Sequence, residues 1–449
     1  MLLEFSVKNY RSIRDEQVFT MVAEATKNKR ASNTFDVELA AGGKVTLVRS
    51  AVMYGANASG KSNFIKAALN FKTLLTGYRV LKGEEMAIHD AFGLSLETMA
   101  APTEYKCVFL LNNVKYSYVI AFDGVKVTKE ELNYFPKKII KNIYKRAPDP
   151  HNVEVDLVIL NSTIPDIDYD VFPPSLKVFK TQPALAKFGF DIPDAFLNAV
   201  FTYFASWKVW SSNTTYGIQQ LTEKVINDML PKKGEQFFKK LIKLIKACDT
   251  RIDEIEVNGD ADTESGRFGT GFKNHLVIKE GSQILHYDMS HHTEKLYSVY
   301  NVRDKKGEIL YSVSWPFREE SSGTNVLFAL GAYILNAIEE GSIVFFDELD
   351  NSLHPKVARF LVSLFNNSTI NKKNAQLVFT THEANLIDRD MFRSDQIWFA
   401  SKQPDGATEI YSAQDFEDIR EDSPFDKWYL AGKFGALPEI QDIEAIFSE

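Results

Sequence analysis

The feature that most constrains this chain is one eight-residue run, Gly55-Ala56-Asn57-Ala58-Ser59-Gly60-Lys61-Ser62. It follows a short, mostly apolar run, Val45 to Met53, and precedes a helical pattern that begins near Asn63. Strand, glycine-rich turn and helix in that order make a P-loop. The glycines let the backbone fold tightly, so that its N–H groups turn inward on phosphate oxygens. Lys61 is then placed to reach the β- and γ-phosphates, and the Ser62 hydroxyl to complete a Mg²⁺ shell. The positive end of the following helix faces the same anion. The expectation is an α/β fold with a nucleotide held by Gly55 to Asn63.

A second group of motifs crowds the chain after Glu319. Ile343-Val344-Phe345-Phe346 reads as a buried strand and ends in Asp347-Glu348. Beside a P-loop in one parallel sheet, Asp347 would hold Mg²⁺ opposite Ser62. Glu348, one residue on, faces the other side of the strand end and suits a general base or water-orienting group. Leu377-Val378-Phe379 is a further short strand, ended by Thr380-Thr381-His382. A histidine at the carboxyl end of a sheet strand lies on the ligand side of a doubly wound fold. His382 is therefore a candidate contact for the γ-phosphate or the attacking water. Ser321-Ser322-Gly323 opens a helical pattern from Asn325 to Ile338, one helix length before the Asp347 strand. Alone it is a helix cap. In a chain that already has a phosphate cradle, a second one most simply serves a nucleotide on another subunit. Asp350 to His354 reads as a subunit-contact loop.

Composition narrows the class. The chain has 449 residues, a net charge of −8 and two distant cysteines, Cys107 and Cys248. An acidic balance argues against coating nucleic acid non-specifically, though not against a local basic groove. Two cysteines give no disulfide framework, which points to a reducing cytoplasm. Neither a signal-peptide pattern nor an apolar run of about 18 residues is present, so no membrane association is expected.

From Glu104 to Tyr134 the apolar period is two, with Asn112-Asn113 and Asp123-Gly124 as turns, which predicts an antiparallel β layer. Prolines and lysines then dominate, and residues 136–250 read as a mainly helical insertion in a head made of 1–135 and 251–449. Within it, Phe237 to Lys246 sets lysines on one face and apolar residues on the other. That is the ordinary pattern of a surface helix, and also one that can contact a partner or nucleic acid. Strand-like alternation returns over 251–318. His286, His291 and His292 lack carboxylate or cysteine partners at metal spacing and are assigned no site.

Taken together, these motifs resemble the ABC-type ATPase heads of the SMC, RecF and OLD group, and more closely the AAA-type, OLD-like ATPases of bacterial abortive-infection and anti-phage systems. The resemblance covers Phe5 to Ile13, the Walker A stretch 55–62, the signature Glu320 to Asn325 and the Walker B stretch 343–348. It continues through the D-loop 350–354, His382, Arg393 to Ile397 and Gly432 to Pro438. It implies ATP hydrolysis in a head-to-tail dimer, each ATP held by one subunit's P-loop and by Ser322 and Gly323 of the other. It also implies that Asn9, Arg11 and Ser12 approach the nucleotide, and that a separately encoded effector, a nuclease or toxin, is controlled. The signature departs from the transporter pattern in reading Ser-Ser-Gly-Thr, and no glutamine loop is evident between 76 and 105. An OLD-like nuclease or a RecF-like DNA clamp are the alternatives. The 67 residues after His382 show no acidic nuclease constellation, and sustained heptads are absent.

Overall fold

Three parallel strands end side by side and carry the motifs to one edge. They are Ser50–Tyr54, Gln376–Thr380 and Ile343–Phe346 in the computed structural model. The model describes the chain outside residues 78–85, 87, 138, 162–174, 191–194, 212–216, 249–250, 258–274, 281–282, 289–294, 389, 418, 420–422 and 438–449. Met53 lies opposite Thr380, and Phe379 opposite Phe346. Lys208–Trp210 continues the parallel sheet beyond Phe346. Ile397–Lys402 flanks the P-loop strand on the other side, and Thr408–Ser412 closes the sheet antiparallel. Strands covered on both faces need apolar residues at every position, which is why Ile343–Phe346 and Ser50–Tyr54 are buried throughout.

A second sheet of eight strands is antiparallel in every pairing. It runs from Gln17–Thr20 and Leu2–Lys8 through Thr103–Leu111, Val114–Phe122 and Val127–Phe135 to Lys141–Pro148, Val155–Leu160 and Ser175–Phe179. The helix Lys61–Thr76 buries Phe64, Ile65, Ala67, Ala68, Phe71, Leu74 and Leu75. Phe71 alone meets Phe5, Tyr105, Phe204 and Trp207 with ring centroids 5.2 to 5.6 Å apart. Trp207 in turn meets Phe345, just before the carboxylates, at 5.2 Å. The aromatic residues that meet this helix thus come from the antiparallel sheet and from the segment that carries Phe204 and Trp207.

The chain divides into two compact units, Met1–Ser211 with Ala337–Asn351 and Val362–Glu449, and Ser212–Asn336 with Ser352–Leu361. The first holds both sheets above. The second holds the helices Gly217–Lys224 and Leu230–Ala247, joined by a π turn at Val225–Met229, and a sheet of Glu254–Val257, Leu296–Arg303 and Ile309–Pro316. It also holds most of the helix Ser322–Glu340, where a Cβ on Gly331 would lie 2.8 Å from Leu244.

The boundary therefore differs from the expected insertion at 136–250. Residues 141–179 supply three strands that extend the antiparallel sheet, and Leu185, Phe188, Leu197 and Phe204 join its core. In the strand Lys141–Pro148 the lysines and the terminal proline are exposed while the adjacent Ile143 and Tyr144 are both buried, so no clean alternation shows. The apolar run before the P-loop is also two strands. Lys44–Val48 pairs with Thr34–Glu38, and the parallel strand starts at Ser50. Between them Arg49 is buried, donating to Asn374 Oδ1 at 2.8 Å and to the Asn371 carbonyl at 3.2 Å. His291, His292 and Pro438 lie outside the described residues. Among the described residues no helix is long and apolar enough to cross a membrane, and no group of three histidine, cysteine or acidic side chains gathers as a metal site.

Candidate functional site

In the first unit the glycine-rich turn takes the conformation its composition allows. Gly60 has φ 108° and Ala58 φ 61°, both left-handed. A Cβ on Gly60 would run into Thr408, so this position accepts only glycine without displacing that side chain. Lys61 is buried and curls back on the loop, donating to the Gly55 carbonyl at 2.7 Å and the Ala56 carbonyl at 3.0 Å. Burial pulls its pKa down to about 8, while the carboxylates of Asp347, Glu348 and Asp350 act to raise it. Ser59 is buried inside the turn, facing Gly55.

Asp347, buried at the end of its strand, accepts from the Ser62 hydroxyl at 3.0 Å and the Thr380 hydroxyl at 2.8 Å on Oδ1, and from Ser211 at 3.4 Å on Oδ2. The Ser62 hydroxyl and Asp347 carboxylate are hard oxygen donors already in contact. They fit Mg²⁺, which takes few protein ligands and keeps its remaining positions for water and phosphate. Glu348 has φ 54°, an uncommon conformation for a residue with a side chain, and its N–H is tied to Thr380 Oγ1 at 2.8 Å. His382 Nε2 lies 3.4 Å from Glu348 Oε1, and both side chains remain partly open to solvent. Lys61, Ser62, Asp347, Glu348 and His382 are thereby assembled from three neighbouring strand ends, in a parallel sheet that points them all to one edge.

The N-terminal motif is brought to the P-loop unevenly. Asn63 Nδ2 donates to Ser12 Oγ at 2.7 Å. Ser12 Oγ lies 2.8 Å from Thr408 Oγ1, which donates to the Ser59 carbonyl at 2.9 Å. Ser12 and Asn63 thus brace the loop through a hydroxyl chain. Arg11 is partly exposed and pairs with Asp90 at 2.6 Å. Asn9, expected near nucleotide, is buried and spent elsewhere. Its amide donates to the carbonyls of Thr98 and Ala101 at 2.8 Å and accepts from the Phe92 N–H at 3.0 Å. Its side chain anchors the 92–102 loop, with both amide hydrogens committed there.

Sequence reasoning missed Thr380, Thr408, Ser211 and Tyr429. Thr380 holds both carboxylate residues at once, and its place at a strand end one residue before Thr381-His382 is the signal that could have found it. The Tyr429 ring meets Tyr54, the residue before Gly55, at 5.6 Å, and its hydroxyl donates to the Ala436 carbonyl at 3.5 Å. Only the fold could reveal Thr408, which opens a five-residue strand, and Ser211, which follows a three-residue one.

In the second unit Ser321 to Thr324 forms a helix start. Ser321 Oγ accepts from the Thr324 N–H at 3.2 Å, and Ser321 and Ser322 are exposed. A Cβ on Gly323 would sit 2.7 Å from the Ser352 carbonyl, so glycine is required for that close approach. A hollow of about 550 Å³ opens here, lined among others by Ser322, Gly323, Thr324, Arg251, Tyr300 and His354. Glu320 turns inward and accepts from Ser298 at 2.5 Å and Tyr300 at 2.6 Å. Burial and that carboxylate push the Tyr300 hydroxyl up to about 12. The lysine-rich helix Leu230–Ala247 buries Phe237, Phe238, Leu241, Leu244 and Ile245, with Lys239 exposed and paired to Glu235 at 2.6 Å.

The glycine-rich turn between parallel strand and helix, the carboxylate strand and the antiparallel layer make this an ABC-type P-loop ATPase fold. Residues 230–388 match the family described as "AAA domain, putative AbiEii toxin, Type IV TA system". The match includes Ser321 to Gly323, Asp347, Glu348 and His382 but not the P-loop itself. A comparison with curated proteins finds no match. Similar solved structures include an SMC head bound to the C-terminal winged-helix domain of ScpA, at 13% identity and a TM-score of 0.44, covering 92% of this chain and 97% of that one. An SMC head domain from Thermotoga maritima aligns at 12% identity and 0.39, covering 92% and 98%. An SMC head with an extended coiled coil, bound to the C-terminal domain of ScpA from Pyrococcus furiosus, aligns at 13% and 0.37, covering 92% and 96%.

Proposed function

We propose that the chain is an ATP-hydrolysing switch that joins head to tail with a second copy, and that this cycle controls a separately encoded effector, a nuclease or toxin, in phage defence. The observation that carries the hydrolytic part is the joined set of Ser62, Asp347 and Thr380 beside the Glu348–His382 pair. The defence role is supported by the motif resemblance and by the family matched over 230–388.

Each residue has a task that its position suits. On ATP binding, Lys61 leaves the Gly55 and Ala56 carbonyls for the phosphates, an exchange of one set of oxygens for a more negative one. Ser62 and Asp347 would hold Mg²⁺, which neutralises charge on the β- and γ-oxygens when bound. Glu348 accepts the proton of the attacking water as its oxygen bonds to the γ-phosphorus and the bond to the ADP oxygen breaks. His382, within reach of the Glu348 carboxylate, orients that group. Ser322 and Gly323 serve the nucleotide of the partner copy, with N–H groups at the start of a long helix. Joining is favoured only as far as ATP binds the joined state better than the separate one, and loss of the γ-phosphate removes that preference.

Glu348→Gln should bind ATP and Mg²⁺ without turning over and so accumulate as a dimer or larger species. Sedimentation with and without ATP reads this directly. An unchanged monomer under both conditions would sink the switch.

A further inference from the structure

We propose that Arg251 is a cation supplied in trans, reaching the triphosphate that the second copy holds in its P-loop. The proposal rests on the two-chain reading above and adds a residue that no motif identifies.

Arg251 follows the long lysine-rich helix and lines the same hollow as Ser322 and Gly323. It is exposed, and among the described residues it makes no hydrogen bond or ion pair. Every other described arginine is engaged. Arg11, Arg14, Arg30, Arg146, Arg303 and Arg393 pair with carboxylates, Arg49 donates to Asn371 and Asn374, and Arg318 and Arg359 have contacts of their own. The carboxylate that lines the hollow, Glu320, accepts from Ser298 and Tyr300. A free guanidinium therefore shares a 550 Å³ space with the positive end of a helix. Two features of the same sign repel unless an anion lies between them, and their common complement is a multiply charged phosphate. The chain's own P-loop already supplies Lys61, so the phosphate that lacks an arginine is the one presented by another copy. The planar fork of Arg251 would hold γ-phosphate oxygens beside the N–H groups of the signature helix and stabilise the charge that builds there during transfer.

The test uses full-length chains and two readouts. In the Glu348→Gln background with ATP and Mg²⁺, adding Arg251→Ala should weaken association at least about tenfold by sedimentation. Binding of a fluorescent ATP analogue to the dilute chain should not change, and Arg251→Lys should recover part of the association. With Glu348 intact, Arg251→Ala should lower ATPase activity on the order of a thousandfold. Mixing it with Lys61→Ala, which still carries Arg251, should restore turnover. Association equal to that of the Glu348→Gln parent, or weaker nucleotide binding by the dilute chain, overturns the assignment to Arg251. If the Glu348→Gln parent itself does not associate, the two-chain reading fails and takes the proposal with it.

Discussion

At the scale of single residues, Lys61 is the most telling. Its folded-state pKa of about 8 lies below the ordinary 10.5, so burying it costs stability below pH 8 and the cost is relieved as pH rises toward 10.5. A bound triphosphate must raise that pKa again. ATP affinity should then be flat below pH 8 and fall above it, by up to about tenfold per pH unit, with uptake of a proton on binding. Calorimetric titration at pH 7 and pH 9 in buffers of different ionisation heat measures both. Equal affinity and no proton uptake at pH 9 would show that Lys61 does not change partners. The residue scale is also where the sequence was most legible. Lys61 and Ser62 are recognisable from the glycine-rich turn that precedes them, and Asp347 and Glu348 because they end a buried strand where a parallel sheet must stop. Asn9 shows the limit. An amide beside an arginine and a serine looks like a ligand contact in one dimension, and only the 92–102 loop reveals that its hydrogen bonds are already committed.

Among the elements, the helix Lys61–Thr76 decides whether the P-loop keeps its shape. Its inner face was readable from the spacing of Phe64, Ala67, Ala68, Phe71, Leu74 and Leu75. What it packs against was not, since Phe5, Tyr105 and the Phe204–Trp207 pair come from three distant parts of the sequence. Phe71→Ala should cost about 3–5 kcal/mol, the range for an aromatic removed from a filled core. Chemical denaturation followed by tryptophan fluorescence checks it, and a loss below about 1 kcal/mol would mean that the aromatic cluster does not hold the helix. Residues 141–179 were illegible for the opposite reason. In the strand Lys141–Pro148 the exposed Lys141, Lys145 and Pro148 flank two adjacent buried residues, Ile143 and Tyr144, so the period of two never becomes clean. The three-residue strand Lys208–Trp210 is too short for any period to show.

For the whole molecule, the central fact is a division of labour. The first unit carries the P-loop, Asp347, Glu348 and His382. The second carries Ser321 to Gly323 and Arg251. If each chain supplies half of a site to its partner, two defects on opposite halves must complement. Lys61→Ala removes the nucleotide side and Ser322→Arg fills the signature side with a bulky cation, and each alone should be inactive. In an equal mixture, half of the dimers are mixed and each of these has one intact site. ATPase activity should therefore return to roughly a quarter of the wild-type rate per chain. A mixture as inactive as its two components would contradict a site shared between two chains.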